Sequence, residues 1–191
     1  MHSNVQKVYL FDANIWLLIL GPVSQPDHKQ QKYINFFKTI FQSDAIILLP
    51  SILVSEIINR LMHFQMIKFA KKRGDNIDPT YFKKVYREHP AFKLALQQIY
   101  DDLLIYAKSC TLINDQFGEQ EFSLTDLFTS SGAINEFNDN YLYRLAKFHS
   151  AIIVTDDGDF LVEDIQIYTL NSTLISKATA KAIASSGNNQ I

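Results

Sequence analysis

Apolar residues along the chain form short continuous runs separated by longer stretches with helical spacing. The continuous runs cover residues 7–11, 45–49 and 151–155, and each is followed by a polar residue or a proline. Runs of this length without alternation are typical of strands buried on both faces, as in a parallel sheet. Two shorter runs, at 111–113 and 166–170, predict two further strands.

Between these runs, apolar residues recur every three or four positions, which predicts amphipathic helices. Helices are predicted over 13–20, 28–41, 51–73, from Asp78-Pro79 onward, 92–107, 123–134, 140–149 and 171–184. Asn138, Asp139 and Asn140 are expected to cap the helix at 140–149. The alternation of strands and helices predicts an α/β fold with a short parallel sheet covered by helices. We expect one domain over 1–184 and a disordered polar tail over 185–191.

Composition narrows the class of protein without identifying it. The 191 residues are 47% hydrophobic, which excludes a disordered chain, and no apolar stretch is long enough to span a membrane. The single cysteine, Cys110, excludes an internal disulfide framework and a cysteine-rich zinc site, and favours a cytoplasmic location. The net charge of −2 means that any nucleic-acid binding must come from a local basic patch.

Acidic residues follow the predicted strands at the edge where α/β proteins bind ligands. Asp12 ends the first strand, Glu56 lies in the helix after the second, and Asp139 opens the helix before the strand at 151–155. That strand ends in the turn 155–159, with sequence TDDGD. Purely structural alternatives exist: either Asp can cap a helix, Glu56 can pair with Arg60, and Asp and Gly favour turns.

Four carboxylates that share one site repel each other, and a divalent cation relieves that repulsion. Oxygen ligands suit Mg²⁺ or Mn²⁺, which neutralise a phosphodiester and activate water for attack on phosphorus. Zinc is disfavoured because the five histidines show no ligand spacing. The acidic residues therefore predict a magnesium or manganese site that acts on phosphodiesters.

Four stretches together resemble the PIN-domain family of metal-dependent ribonucleases, which includes the VapC-like toxins. They look like that family's D-x-N strand end, its S-E helix, its third Asp at a helix start and its T-x-D-x-D-F turn. The stretches are, in order, Val8–Asn14, Pro50–Ile57, Asp139 with its helix, and Ile153–Phe160.

The resemblance implies a Rossmann-like three-layer α/β/α sandwich that cleaves RNA with Mg²⁺ or Mn²⁺. It implies catalytic and metal-binding roles for Asp12, Glu56, Asp139 and Asp157, with Asp159 as an auxiliary metal ligand. Polar residues expected to support the carboxylates are Asn14, Ser55 and Thr155. A protein antitoxin or inhibitor and a homodimer are the partners it implies. The interval from Glu56 to Asp139 is longer than in compact toxins of the family, which predicts a helical insertion around 68–110.

One basic block interrupts the slightly acidic chain. Lys71, Lys72 and Arg73 are its centre, and they are expected either to contact RNA phosphates or to form a solvated helix face. Alternatives to an endoribonuclease are a non-catalytic RNA-binding or regulatory module and a structure-specific DNA nuclease. A phosphatase or phosphoacceptor domain is disfavoured, because Asn14 stands where a second Asp is usual.

Overall fold

The computed structural model describes residues 6–22, 25–113 and 136–187, with side chains through residue 182. Its strands are β1 Val8–Phe11, β2 Ile46–Pro50, β3 Thr111–Ile113, β4 Ile152–Val154 and β5 Ile167–Tyr168. Its helices are α1 Ala13–Leu20, α2 His28–Phe41, α3 Ser51–Arg73, α4 Pro90–Ala107, α5 Phe137–Phe148 and α6 Ser172–Gly187. A π-helical turn, Phe82–Tyr86, lies between α3 and α4.

The five strands form one parallel sheet in the order β3-β2-β1-β4-β5. Leu10 of the central strand pairs with Leu48 on one side and Ile153 on the other. The chain first runs outward from β1 to β3 and then returns to β4 and β5. Because such crossovers are right-handed, this reversal places α5 on the face opposite α1 and α2. The predicted α/β/α fold with a short parallel sheet is confirmed.

The reversal of strand order makes the carboxyl ends of β1 and β4 the topological switch point, where ligands bind in open α/β sheets. Burial of both sheet faces explains the continuous apolar runs: Leu10, Phe11, Ile153 and Val154 are fully buried. On one side, Trp16 packs edge-on against Phe37 and Tyr106, with centroids 5.1 and 6.1 Å away. This aromatic cluster joins α1, α2 and α4, and it fixes the helix that starts directly after β1.

Several boundaries differ from the prediction. The α5 helix begins at Phe137 with Glu136 as its N-cap residue, so Asp139 lies in the first turn and does not cap the helix. Asn138, expected to take part in the cap, lies inside the helix and donates from its amide to Glu56. The α6 helix continues to Gly187, past the predicted start of the tail at 185, because an alanine-rich sequence favours helix.

The region 68–110 is built from the end of α3, the π-helical turn and α4, which pack together. Only the five-residue π turn forms where a helix was predicted from Asp78, since Pro90 starts the next helix soon after. Buried Tyr86 contacts Phe69 of α3 and Phe92 of α4, and so ties the segment to both helices. The helix predicted at 123–134 lies outside the described residues. No described helix is both long and apolar enough to cross a bilayer.

Candidate active site

Asp12 lies at the carboxyl end of the central strand and is the most buried acid described, with 6% of its surface exposed. Its backbone N–H donates to the carbonyl of Val154 in β4, which holds the two strand ends together. Its carboxylate accepts a hydrogen bond from the backbone N–H of Ala13, so Asp12 is also the N-cap of α1. The capping role therefore fixes the carboxylate at the switch point of the sheet.

Two polar side chains hold Asp12, one from the first turn of α1 and one from the residue that follows β4. The fully buried Thr155 hydroxyl donates to the Oδ2 of Asp12 at 2.7 Å, and the amide of Asn14 donates to the same oxygen. Asn14 also donates to Thr155, and its Oδ1 accepts from the backbone N–H of Asp156 at 3.2 Å. Asn14 and Thr155 thus hold the carboxylate of Asp12 in one orientation.

Glu56 reaches the site from the second turn of α3. Its Oε2 accepts from the Nδ2 of Asn138 at 3.1 Å, and this contact links α3 to α5. Its Oε1 lies 3.4 Å from the guanidinium of Arg60, one turn further along α3. The ion pair between Glu56 and Arg60 that the sequence spacing suggested is therefore present. The positive charge of Arg60 neutralises part of the negative charge at the edge of the site.

Asp139 in the first turn of α5 is half-buried, and its pKa is raised to about 7. The main cause is desolvation, followed by the negative charges of Asp12, Asp157, Glu136 and Glu56. The position near a helix N-terminus favours the ionised form and opposes this shift. Asp139 therefore experiences the charges of all three other acids in the predicted set.

The pKa of Asp12 is raised to about 6, again mainly by burial. Hydrogen bonds from Thr155 and Ala13 oppose the shift, and the charges of Glu56 and Asp157 add to it. The four carboxylates predicted from the sequence thus lie within electrostatic reach of one another at one edge of the sheet. Like charges that lie close together destabilise the folded state, so a structural role alone does not explain why these carboxylates are grouped.

The three aspartates in the turn after β4, Asp156, Asp157 and Asp159, have different surroundings. Asp157 is half-buried, and its backbone N–H donates to Thr155 while its carboxylate accepts from the N–H of Asp159 at 2.8 Å. Asp156 points away to Lys29 of α2, at 2.8 Å. Asp159 has an 88% exposed side chain that pairs with Lys177 of α6. The structure therefore brings Asp157 to the cluster and places Asp159, the expected auxiliary ligand, outside it.

A network around Tyr33 of α2 holds this turn. The buried Tyr33 hydroxyl lies within hydrogen-bond distance of the Thr155 carbonyl and the Asp156 carboxylate, and it accepts from the backbone N–H of Leu170. Sequence analysis missed Tyr33, as well as Asn138 and Glu136, because their roles depend on contacts between distant segments. Tyr33 lies on the buried apolar side of α2, and that position gives no sign of its polar contacts.

Not every expected residue joins the site. Ser55, predicted to support the carboxylates, is exposed on α3 and accepts from Asn59 at 3.5 Å. Its position one residue before Glu56 turns it to another side of the helix. Lys71, Lys72 and Arg73 form the exposed last turn of α3 before Gly74. Of these, Arg73 is engaged locally by Asp75 at 2.8 Å and by the ring of Phe69.

The donor set suits a hard divalent cation, because Asp12, Glu56, Asp139 and Asp157 offer only oxygen atoms. Burial is the main cause of the raised pKa values of Asp12 and Asp139, and the neighbouring carboxylates raise both values further. Over the described residues, however, no group of three or more His, Cys, Asp or Glu side chains is already arranged to hold a metal ion. The chemistry of the set nevertheless fits Mg²⁺ or Mn²⁺.

Comparisons with known proteins leave the family open. No family model matches the chain, and no curated protein matches it. Among solved structures, the fold is similar to a chain in the crystal structure of VapBC2 from Rickettsia felis bound to a DNA fragment from their promoter. The TM-score is 0.49 at 15% identity, over 85% of this chain and 98% of the other. Such similarity concerns the course of the backbone and not the chemistry of the site.

Proposed function

We propose that the protein is a metal-dependent endoribonuclease that hydrolyses RNA phosphodiester bonds at the acidic edge of its sheet. The observation that carries the proposal is the gathering of Asp12, Glu56, Asp139 and Asp157 at the switch point, where each adds to the charge felt by another. Mutual repulsion of this kind is relieved by a divalent cation, and a phosphodiester is the anionic substrate that such a centre attracts.

In this proposal the four carboxylates would hold Mg²⁺ or Mn²⁺, and Asp159 stays exposed beside Lys177. The bound ion would supply charge neutralisation of the phosphodiester and activation of water. Thr155 and Asn14 hold the Asp12 carboxylate in one orientation through hydrogen bonds to its Oδ2. Arg60 lies where it can shift from Glu56 to a phosphate oxygen, since its side chain is 49% exposed.

A non-catalytic RNA-binding module is the second candidate. It is favoured by the pairing of Glu56 with both Arg60 and Asn138, and by the lack of an arranged metal-binding group among the described residues. In such a module the acidic residues would hold the helices together, and RNA would bind without turnover. Cleavage and binding assays separate the two candidates.

The test is cleavage of a mixed-sequence RNA with Mn²⁺ by the wild type, Asp139→Asn and Asp157→Asn. We expect each substitution to lower the rate by about 100-fold or more, because each removes an anionic ligand from the centre. Asp156→Asn is the matched control, since it removes the same charge from the same turn but faces Lys29. Equal activity of all four proteins, or no metal-dependent cleavage by the wild type, would exclude the endoribonuclease.

The same wild-type protein assayed on single-stranded and branched DNA tests the alternative of a DNA nuclease. We expect RNA to be cleaved faster. Faster cleavage of DNA would change the substrate class but keep the acidic centre.

A further inference from the structure

A groove of about 490 Å³ runs from the acidic edge along the junction of α1 and α3. Its near end is lined by Asn14, which binds Asp12, and by Arg60, which pairs with Glu56. Its far end is lined by Lys71 in the last turn of α3. The groove therefore borders the candidate active site through two residues that contact its carboxylates.

One face of α3 forms the long wall of this groove. Arg60, Phe64, Ile67, Lys68 and Lys71 line it, with spacings of four, three, one and three residues. Those spacings place the five side chains in a single stripe. At 1.5 Å per residue, the stripe from Arg60 to Lys71 is about 16 Å long, comparable to about five nucleotides at 3.4 Å rise.

The stripe combines apolar surface with positive charge. Phe64 and Ile67 are 40% and 41% exposed and lie next to each other on the helix, so they form an apolar patch on the wall of the groove. Within the described part of the chain, Lys68 and Lys71 have no ion-pair partner, and the residues that line the groove include no acid. An occupant with flat apolar faces and a negatively charged backbone would complement both features.

We propose that this groove binds the single-stranded RNA next to the scissile phosphate, with bases against Phe64 and Ile67 and phosphates against Lys68 and Lys71. The inference rests on the proposed function, because it names where the substrate of the acidic centre lies. The inference also assigns different roles to the three residues at the centre of the basic block, Lys71, Lys72 and Arg73. Lys71 contacts RNA, whereas Lys72 and Arg73 lie off the stripe and Arg73 stays bound to Asp75.

The experiment measures binding of a short fluorescein-labelled single-stranded RNA by anisotropy, in EDTA so that no cleavage occurs, between about 50 and 200 mM salt. For the double variant Lys68→Ala/Lys71→Ala we expect weaker binding and a salt slope reduced by about 1.4, since each phosphate contact on a single strand contributes about 0.7. Lys72→Ala/Lys83→Ala removes the same charge from exposed positions outside the groove and should leave the slope unchanged.

The apolar part of the groove is tested by Phe64. We expect Phe64→Ala to weaken binding roughly 5- to 150-fold, the range for loss of one stacked base, without changing the salt slope. Phe64→Trp keeps an aromatic face and should bind nearly as well as the wild type. The side chain is already partly exposed, so both variants should fold.

The outcomes separate this inference from the nuclease proposal. If the wild type cleaves RNA but the groove and control variants bind alike, the groove assignment is wrong and the nuclease stands. If RNA binds through the groove but is never cleaved, the groove assignment stands and the nuclease is wrong. Absence of RNA binding by the wild type overturns the groove assignment. A groove variant with unchanged RNA affinity but a changed oligomeric state would show that a second copy of the chain occupies the groove.

Discussion

Replacement of Asp139 by Asn should stabilise the metal-free protein, but only at neutral to alkaline pH. The pKa of Asp139 is about 7 in the folded state and near 3.8 in an unfolded chain. Because the folded pKa is the higher one, the folded protein holds more protons between those values, and stability falls as pH rises from about 4 to about 7. The substitution removes this loss because Asn has no titrating group.

The magnitude follows from the size of the shift. The pKa of Asp139 differs by about 3 units between the folded and unfolded states, and each unit corresponds to roughly 1.4 kcal/mol of stability. The full value is not expected, because Asp139 is only half-buried and solvent screens part of the interaction. We therefore expect Asp139→Asn to raise the free energy of unfolding by about 2 kcal/mol at pH 8 and by almost nothing at pH 4. Asp12 keeps its own raised pKa, so a smaller pH dependence remains in the variant.

The assay is urea unfolding of both proteins in EDTA at pH 4 and pH 8. Asp44→Asn serves as the control, because this exposed carboxylate lies in the loop before β2, at the opposite edge of the sheet. The control should change stability equally at the two pH values. If Asp139→Asn is less stable than the wild type at pH 8, or changes stability by the same amount at both pH values, then burial and the neighbouring charges do not raise the pKa of Asp139 as we argue.

Metal binding gives this experiment a second arm. Mn²⁺ at 100 times its Kd should add about 2.7 kcal/mol to the unfolding free energy of the wild type at pH 8. The gain should shrink in Asp139→Asn because one ligand is lost. A wild type that gains no stability from millimolar Mn²⁺ would argue against a metal site.

Two further predictions concern the scaffold. Tyr33→Phe should lower the unfolding free energy by about 1–3 kcal/mol, because the N–H of Leu170 loses its acceptor and the turn after β4 loses its anchor, and urea unfolding checks this. An unchanged midpoint would show that the hydroxyl does not hold the turn. Gly74→Ala should cost about 1 kcal/mol, because φ is +74° at this helix end while no atom lies near an added Cβ. Gly74→Asn should cost less, and equal losses would contradict the backbone explanation.

The sequence alone determined the strands, most helices and the acidic residues that follow the strands. Burial on both sheet faces requires continuous apolar runs, so 7–11, 45–49 and 151–155 were recognisable without coordinates. The end of α3 at Gly74 and the start of α4 at Pro90 follow from the backbone restrictions of these two residues, which are local. The carboxyl ends of the strands in a parallel sheet lie at the same edge, and both Asp12 and Asp157 follow such an end. The sequence therefore predicted that these two residues lie near each other.

Only the tertiary structure decided which way each side chain points and what it contacts. Asp157 turns toward the site, whereas Asp159 turns toward Lys177 on a helix that follows later in the chain. The amide of Asn138 binds Glu56 more than 80 positions earlier, inside a helix that starts at Phe137. The grouping of Phe64, Lys68 and Lys71 with Asn14 likewise depends on how α1 packs on α3. Contacts between distant segments carry no local sequence signal, because they arise only after the elements have packed together.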